Sequence, residues 1–389
     1  MGLFLKIVTS DFKNESRDLR ELSVVNAFNV KIMVMAKGEY NSIYDSNGYT
    51  IHRRTTRPLT NVDLLVRINR VVSVFTWALY ARSIRPDYIS GHDLVALFIG
   101  WLSTWFLSKE DKPLLIYDAH EFEIGRNTKR GKIMKLIIAR LEKFLMKKCT
   151  FSIMVNDSIA DEVQKRYKLR ERPIVVRNIP LYWTVDEDIC KRRREEICEQ
   201  LRVSNDTFIA MYHGVIMPGR GIENILASIH RTKGTAMVFL GYGEVSYIEE
   251  LKRQTKQLKI IDRIVFHDAI PINILWQYVG CVDVGMIVIP PIVKSYYYML
   301  PNKLFENIQS LTPVIGSDFP EIRRIVKGYD IGLLVNPESI DEIVNAIEEM
   351  RTNREMYSRF KLNLKKAKED LYWEKERVIL EEAYSKILR

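Results

Sequence analysis

The chain of 389 residues is long enough for two to three domains at roughly 150 residues each, which excludes a single small binding module. Hydrophobic residues at 47% and charged residues at 28% match ordinary soluble globular proteins and exclude disordered and collagen-like classes. Lys and Arg outnumber Asp and Glu by 59 to 49, a formal charge of +10, which favours anionic partners such as nucleotides, phospholipid head groups or nucleic acid without choosing among them.

The start, MGLFLKIVTSDF, is too short in its apolar part for a signal-peptide core and reads as a strand, LFLKIVTS (3–10). Further strands are predicted at VKIMVMA (30–36), YTIHRR (49–54), DYISG (87–91), PLLIYDAH (113–120), FSIMVN (151–156) and PIVVRNIP (173–180). Helical spacing runs through 61–87 and stops at Arg85-Pro86, because a residue before proline is pushed out of the α region. The apolar run 94–107, 14 residues, falls short of the roughly 18 to 20 that span a bilayer and reads as a buried or interfacial helix. The cysteines at 149, 190, 198 and 281 lack zinc-site spacing and fit a reducing compartment.

After Pro180 comes DEDICKRRREEICEQLRVSND, a charged stretch without a core strand and the candidate linker. A second alternating set follows at 207–214, 235–243, 263–269, 282–289, 312–318 and 332–336. Strands alternating with helices predict an α/β chain of two doubly wound, Rossmann-like domains. The expected divisions are 1–180, a linker 181–205, 206–365, and a single amphipathic helix over 366–389.

Ligands of open α/β sheets bind beyond the carboxyl ends of the strands, so residues there are the site candidates. In YHGVIMPGRGIENIL, Gly219 and Gly221 flank Arg220 before a helix, either a plain turn or a phosphate cradle with a planar cationic fork. Gly241 and Gly243 in LGYGE fit a turn or a nucleotide loop. In MLPNKLFENI, Pro301 suits a first helical position, Lys303 sits in the first turn and Glu306 lies three residues on. A cation there opposes the helix dipole and becomes reasonable once an anion binds. Asp118, His120 and Glu121 leave an apolar strand of the first domain, and His92 and Asp93 reach the same sheet edge. The predicted site is the cleft between the domains.

These ordered segments, HGVIMPGRGIENIL, VFLGYGE, VFHDAIPINILWQYVG, YMLPNKLFENIQSLTPVIGSDFPEIRRIV and GLLVNPESIDEIVNAI, with SRDLRE, RPDYISGHDL, YDAHEFE and VVRNIP before them, resemble the retaining GT-B glycosyltransferases of glycosyltransferase family 4. The resemblance spans nearly the whole chain, and LYWEKERVILEEAY resembles the helix that crosses back to the first domain. It implies that Arg220 and Lys303 bind the donor diphosphate, Glu306 the ribose hydroxyls, and the backbone around Gly214, Gly241 to Glu244 and His267 to Ala269 the nucleotide, with Asn302 beside them. His120, with Asp118 and Glu121, would serve the transferred sugar. No metal or other cofactor is expected, because cations and helix dipoles neutralise the leaving diphosphate, and Asp186-Glu187-Asp188 falls in the charged linker. The Glu of the family's Glu-x7-Glu pair is replaced by Tyr298. A double-glycine loop after the first strand is replaced by SDFKNESRDLRE, where Arg17 or Arg20 could meet an anionic acceptor.

Segment 125–149 sets Lys and Arg, among them Lys129, Arg130, Lys132 and Lys135, around an apolar stripe of Ile133, Leu136, Ile137, Leu141 and Phe144. Such a helix packs the stripe on the sheet, or docks on an anionic membrane surface, or does both. The expected function is transfer of a sugar from a UDP or GDP type donor to a glycan or lipid-linked acceptor, in the cytoplasm or at the inner face of a membrane. The alternative is an inactive homologue that binds nucleotide-sugars as a sensor or scaffold. A GT-B epimerase would carry a denser carboxylate set, and nucleic-acid motifs are missing from the sequence.

Overall fold

The computed structural model describes residues 2–12, 16–46, 48–55, 63–125 and 131–388. These fall into two compact units, Met1–Arg177 with Arg377–Arg389, and Asn178–Glu376.

In unit 1 the chain runs β1 (Gly2–Val8), α1 (Ser16–Val25), β2 (Val30–Gly38), β3 (Ser42–Ser46), β4 (Tyr49–Thr55), α2 (Asp63–Ile84), β5 (Tyr88–Gly91), α3 (Leu94–Ser103), β6 (Leu114–Asp118), α4 (Lys132–Met146), β7 (Phe151–Met154), α5 (Asp157–Tyr167) and β8 (Ile174–Val175). The sheet order is β3-β4-β2-β1-β5-β6-β7-β8. The pairings are parallel except for β3, which lies antiparallel on β4 at the edge. Strand β1 is central, and Phe4, Leu5, Ile7 and Val8 are all fully buried, as expected for a strand covered on both faces. Helix α3 buries Leu94, Ala96, Leu97, Ile99 and Leu102, while Trp105 and Phe106 beyond it are exposed.

In unit 2 the order is α6 (Glu187–Leu201), β9 (Phe208–His213), α7 (Ile222–Arg231), β10 (Thr235–Gly241), α8 (Val245–Gln257), β11 (Ile264–Asp268), α9 (Leu275–Val279), β12 (Val284–Ile287), α10 (Lys294–Tyr297), α11 (Asn302–Gln309), β13 (Val314–Ser317), α12 (Pro320–Tyr329), β14 (Gly332–Val335), α13 (Ile340–Thr352) and α14 (Arg354–Asp370). The wholly parallel sheet is ordered β11-β10-β9-β12-β13-β14. The chain reverses its winding between β9 and β12, the switch point at which doubly wound sheets open a crevice. Helix α15 (Trp373–Ser385) carries the chain from unit 2 into the closing segment of unit 1.

Two expectations are corrected. The segment 181–205 holds helix α6, capped by the Asp186 carboxylate on the amides of Asp188 and Ile189, and Cys190, Ile197, Cys198 and Leu201 pack with Ile209 and Met211 of β9. It is part of unit 2, not a linker. The single helix over 366–389 is two helices, α14 and α15, broken at Leu371-Tyr372. All four cysteines are free.

Candidate functional site

The carboxyl ends of β9, β10 and β12 and the amino end of α11 gather the candidate donor residues of unit 2. Helix α7 starts at Gly221, whose φ of 76° suits glycine. A Cβ there would also lie 2.2 Å from the Val288 carbonyl oxygen. The loop Gly214–Gly221 therefore sits tight against β12 and delivers Arg220. Gly241 serves the same packing, since a Cβ on it would meet the Gly214 carbonyl oxygen at 1.8 Å, and Gly243 pairs with Ile216. The two glycines of LGYGE let one loop rest on another.

Lys303 lies in the first turn of α11, with Nζ 3.5 Å from the ring centroid of Tyr212. Burial, with Arg220 adding repulsion, pulls its ammonium down to about 7. The Arg220 guanidinium stands 4.8 Å over the Tyr296 ring, and its buried Nε has no hydrogen-bond partner. Pro301 caps α11 without a side-chain bond, so the first-turn amides keep no cap from that side chain. Two cations held close together, an unsatisfied guanidinium nitrogen and a helix amino end have the chemistry that a multiply charged anion would satisfy.

Glu306, three residues beyond Lys303, accepts a bond from, or shares a proton with, His213 Nε2 at 2.8 Å. His213 ends β9 and is 3% exposed; it fixes the carboxylate that the resemblance assigns to the ribose. It was missed in the sequence, although its place one residue before Gly214 was a signal. Asn302 is bonded through its side-chain oxygen to Asn178 at 3.0 Å. His267 turns its Nδ1 to the Asp268 carbonyl oxygen, 2.8 Å away, on the half-buried edge strand β11. Tyr298 ends α10, its ring 5.4 Å from that of Tyr297 and 5.3 Å from the Lys294 ammonium.

In unit 1 the ends of β1, β5 and β6 carry a cluster of charge around Lys6, a fully buried lysine in the central strand. Its Nζ lies 2.9 Å from Asp18 and 3.8 Å from Asp118 and bonds Glu21. Burial opposes its charge, but the three carboxylates prevail and raise its pKa. Ser90 Oγ donates to Glu21 at 2.7 Å, and Tyr384 of α15 donates to the same carboxylate. Against the cost of burial, Lys6 and His92 hold Asp18 down at about 2. His92 Nδ1 is 2.6 Å from Asp18, and that bond raises its pKa despite burial. His120 Nε2 lies 3.2 Å from Asp118, and the His92 and His120 rings meet tilted at 50°, their centroids 3.7 Å apart.

The structure gives two of the expected acceptor residues other tasks. Arg17 is buried, bonds Asp118 through Nε and Nη2, and donates from Nη1 to the Val176 carbonyl oxygen at 2.8 Å. It locks Asp118, which is 1% exposed and held well below the usual carboxylate range although burial opposes this. Asp93 caps α3, accepting from the Ala96 amide at 2.7 Å and from Thr9. Arg20 is half-buried on α1, and Glu121 is exposed. His92, His120 and Glu121 line a concavity of about 190 Å³ with Asp93 and Tyr117, so of the cluster it is the imidazoles that reach this concavity. Asp18, His92 and His120 stand close enough to share a divalent cation. The Lys6 ammonium already supplies positive charge to Asp18 there, so the donor set does not need a metal for balance.

Helix α4 corrects the expected packing of its apolar stripe. Ile133 is 78% exposed, Leu136 and Ile137 51% and Phe144 43%, while Leu141 is half-buried. The helix turns Ala139, Glu142, Leu145 and Met146 inward instead. Glu142 accepts from Tyr167 at 2.6 Å and from Tyr117 at 3.1 Å, and burial raises its carboxyl to about 7. Lys129 and Arg130 lie outside the described residues. Among the described residues no helix is long and apolar enough to cross a membrane.

Comparison with known proteins bears on this geometry. No curated protein matches the chain by sequence. Among solved structures, the sucrose-phosphate synthase of Thermosynechococcus elongatus is similar with a TM-score of 0.78 at 16% identity, covering 100% of this chain and 99% of that one. HepE of Anabaena, solved in complex with UDP-glucose, gives 0.73 at 15% identity, with 100% and 99% covered. WaaG, a glycosyltransferase involved in lipopolysaccharide biosynthesis, gives 0.66 at 13%, with 97% and 99% covered. The fold is thus the two-domain α/β arrangement of GT-B glycosyltransferase structures, and within it residues 193–367, which hold Arg220, Lys303 and Glu306, match the family model of glycosyl transferases group 1.

Proposed function

We propose that the chain is a metal-independent, retaining glycosyltransferase of family 4 that moves a hexosyl or related sugar from a nucleoside-diphosphate sugar to a hydroxyl of a glycan or lipid-linked acceptor. Surface polysaccharide or glycolipid synthesis is the setting that fits such acceptors. The observation that carries this reading is the Arg220–Lys303 pair, whose buried Nε lacks a partner and whose ammonium is depressed. Both are relieved by a diphosphate. The HepE complex with UDP-glucose supports a UDP-sugar as the donor.

In the reaction the bond from the anomeric carbon to the diphosphate oxygen breaks, and the acceptor oxygen bonds that carbon on the same face. The acceptor's proton passes to the departing diphosphate. Arg220, Lys303 and the amino end of α11 hold the charge that grows on the leaving group. Glu306, positioned by His213, binds the ribose. His120, held by Asp118, meets the transferred sugar, and the apolar stripe and lysines of α4 seat the protein on an anionic membrane at its cytoplasmic face.

Thermal shift with UDP, GDP and their sugars tests the donor reading by mass action. A rise in Tm with one nucleotide, lost in Lys303→Ala and in Glu306→Ala, is expected; no rise with any of them overturns it. Tyr298 in place of a carboxylate favours one second reading, a nucleotide-sugar sensor without turnover. Slow donor hydrolysis by the purified protein distinguishes the enzyme from that sensor. Membrane seating predicts flotation with phosphatidylglycerol vesicles that Ile133→Asp with Ile137→Asp abolishes; unchanged flotation removes α4 from the account.

A further inference from the structure

The donor residues occupy the carboxyl ends of unit 2's strands, but a second concavity of that unit lies at the opposite ends. It measures about 1150 Å³ and is lined by residues that open β9 and β10 and precede β12, including Phe208, Gly234 and Asp283, and by helix α14. Strands of this length put it about 20 Å from the donor residues at 3.3 Å per residue. The usual burden of such an edge is packing, and packing uses apolar side chains.

Here the wall is polar by design of the helix. Helix α14 buries Met356, Phe360, Leu364 and Ala367, the stripe expected at helical spacing. The neighbouring stripe, Arg354, Tyr357, Ser358, Lys361 and Lys365, lines the concavity and places a cation near each turn. Lys191, Arg194 and Arg351 also line it but are already paired, with Asp188, Asp283 and Glu348, which leaves Arg354, Lys361 and Lys365 of α14 against Glu187 and Asp206. Asp283 is already matched, since Arg194 donates to it at 3.0 Å.

Two groups in the lining are short of partners. Ser310 is 2% exposed, and its hydroxyl has no hydrogen bond. Lys361 is half-buried and donates to the Leu311 carbonyl oxygen at 2.6 Å, which uses one of its three protons. The cost of holding that ammonium away from water is met when an anion arrives.

We propose that this concavity is a second, non-catalytic binding site for an anionic carbohydrate. Its volume of about 1150 Å³ lies just above the ~300 to 1,000 Å³ usual for small-molecule sites, which suits more than one sugar ring. The excess of cations selects a charged sugar, and the serine, threonine and tyrosine groups of the lining suit its hydroxyls. A uronate-bearing oligosaccharide and a sugar phosphate share this chemistry.

The test is thermal shift and titration calorimetry of the full chain with tetragalacturonate, glucose 1-phosphate and, as the neutral control, maltotetraose. Tetragalacturonate or glucose 1-phosphate is expected to raise Tm where maltotetraose does not, and whichever acts identifies the source of the negative charge. The double variant Arg354→Ala with Lys365→Glu, both at exposed positions, should weaken that ligand at least tenfold and leave the UDP response intact. Lys361→Met should do the same, while Lys303→Ala should lose UDP and keep the carbohydrate response. No binding of either anion, binding unchanged in both sets of variants, or equal binding of maltotetraose overturns the proposal. Because UDP is read in parallel, failure here is separate from failure of the donor site.

Discussion

At the carboxyl ends of its strands, unit 1 sets Lys6 and Arg17 against Asp18, Glu21 and Asp118, and these charges hold one another. At the same ends of its own strands, unit 2 sets Arg220 beside Lys303, with a guanidinium nitrogen unpartnered and an ammonium drawn down to about 7. Both edges are rich in charge, yet in the first opposite charges stand at contact distance and in the second two cations stand together with no carboxylate among the described residues paired to either. Charge density alone does not mark a ligand site; unsatisfied charge does.

Removing a charge should therefore break the two edges differently. Lys6→Met leaves three buried carboxylates without their central partner and should cost about 3–5 kcal/mol of stability, seen as a lowered Tm and denaturant midpoint. Lys303→Ala should barely move Tm without ligand, or raise it, while donor turnover falls about 10²- to 10³-fold in a nucleotide-release assay. If the two variants behaved alike, the contrast would be void.

Acid–base behaviour sharpens the same contrast. Burial pushes the Glu142 carboxyl up to about 7 from its ordinary 4.5, so the native state binds the extra proton between these values. Its stability contribution is complete below pH 4.5 and is lost as pH rises through 7, by up to about 3 kcal/mol. Glu142→Gln should flatten the fall in Tm between pH 5 and 8. Lys303 runs the other way: its pKa lies below 10.5, so the free protein gains stability from it as pH rises from 7 to 10.5. A bound diphosphate needs the ammonium, and UDP affinity should weaken by up to about tenfold per pH unit above 7. Calorimetry at pH 6.5 and 8.5 should also find proton uptake on binding, visible as a heat that varies with the buffer.

The parallel strands were legible because each is a short β-branched run between turn signals. Strand β3 was not, since Ser42–Ser46 is polar and exposed at a sheet edge, where neither hydrophobic period applies. Helix α6 was hidden by its charge, although Cys190, Ile197, Cys198 and Leu201 stand at helical spacing. In the donor site Arg220, Lys303 and Glu306 could be read because a cation in a helix's first turn is anomalous without an anion. The unit 1 cluster was readable at Asp118, Arg17 and its imidazoles, but not at its centre. A lysine inside LFLKIVTS was the local sign of the rest, but its partners Asp18, Glu21 and Asp118 come together only through the fold. The exposure of the α4 stripe was likewise beyond periodicity, which finds an apolar face and not what covers it.

Tyr384 donates to Glu21 and Tyr88 donates to the Ile387 carbonyl oxygen, so the cluster around Lys6 is finished by a segment made after the whole of unit 2. On the ribosome, at about 5–20 residues per second, unit 2 can emerge entire while Glu21 still waits for its last partner. Unit 1 begins first and is completed last, and the order of synthesis makes the second unit the earlier of the two to reach its full set of contacts.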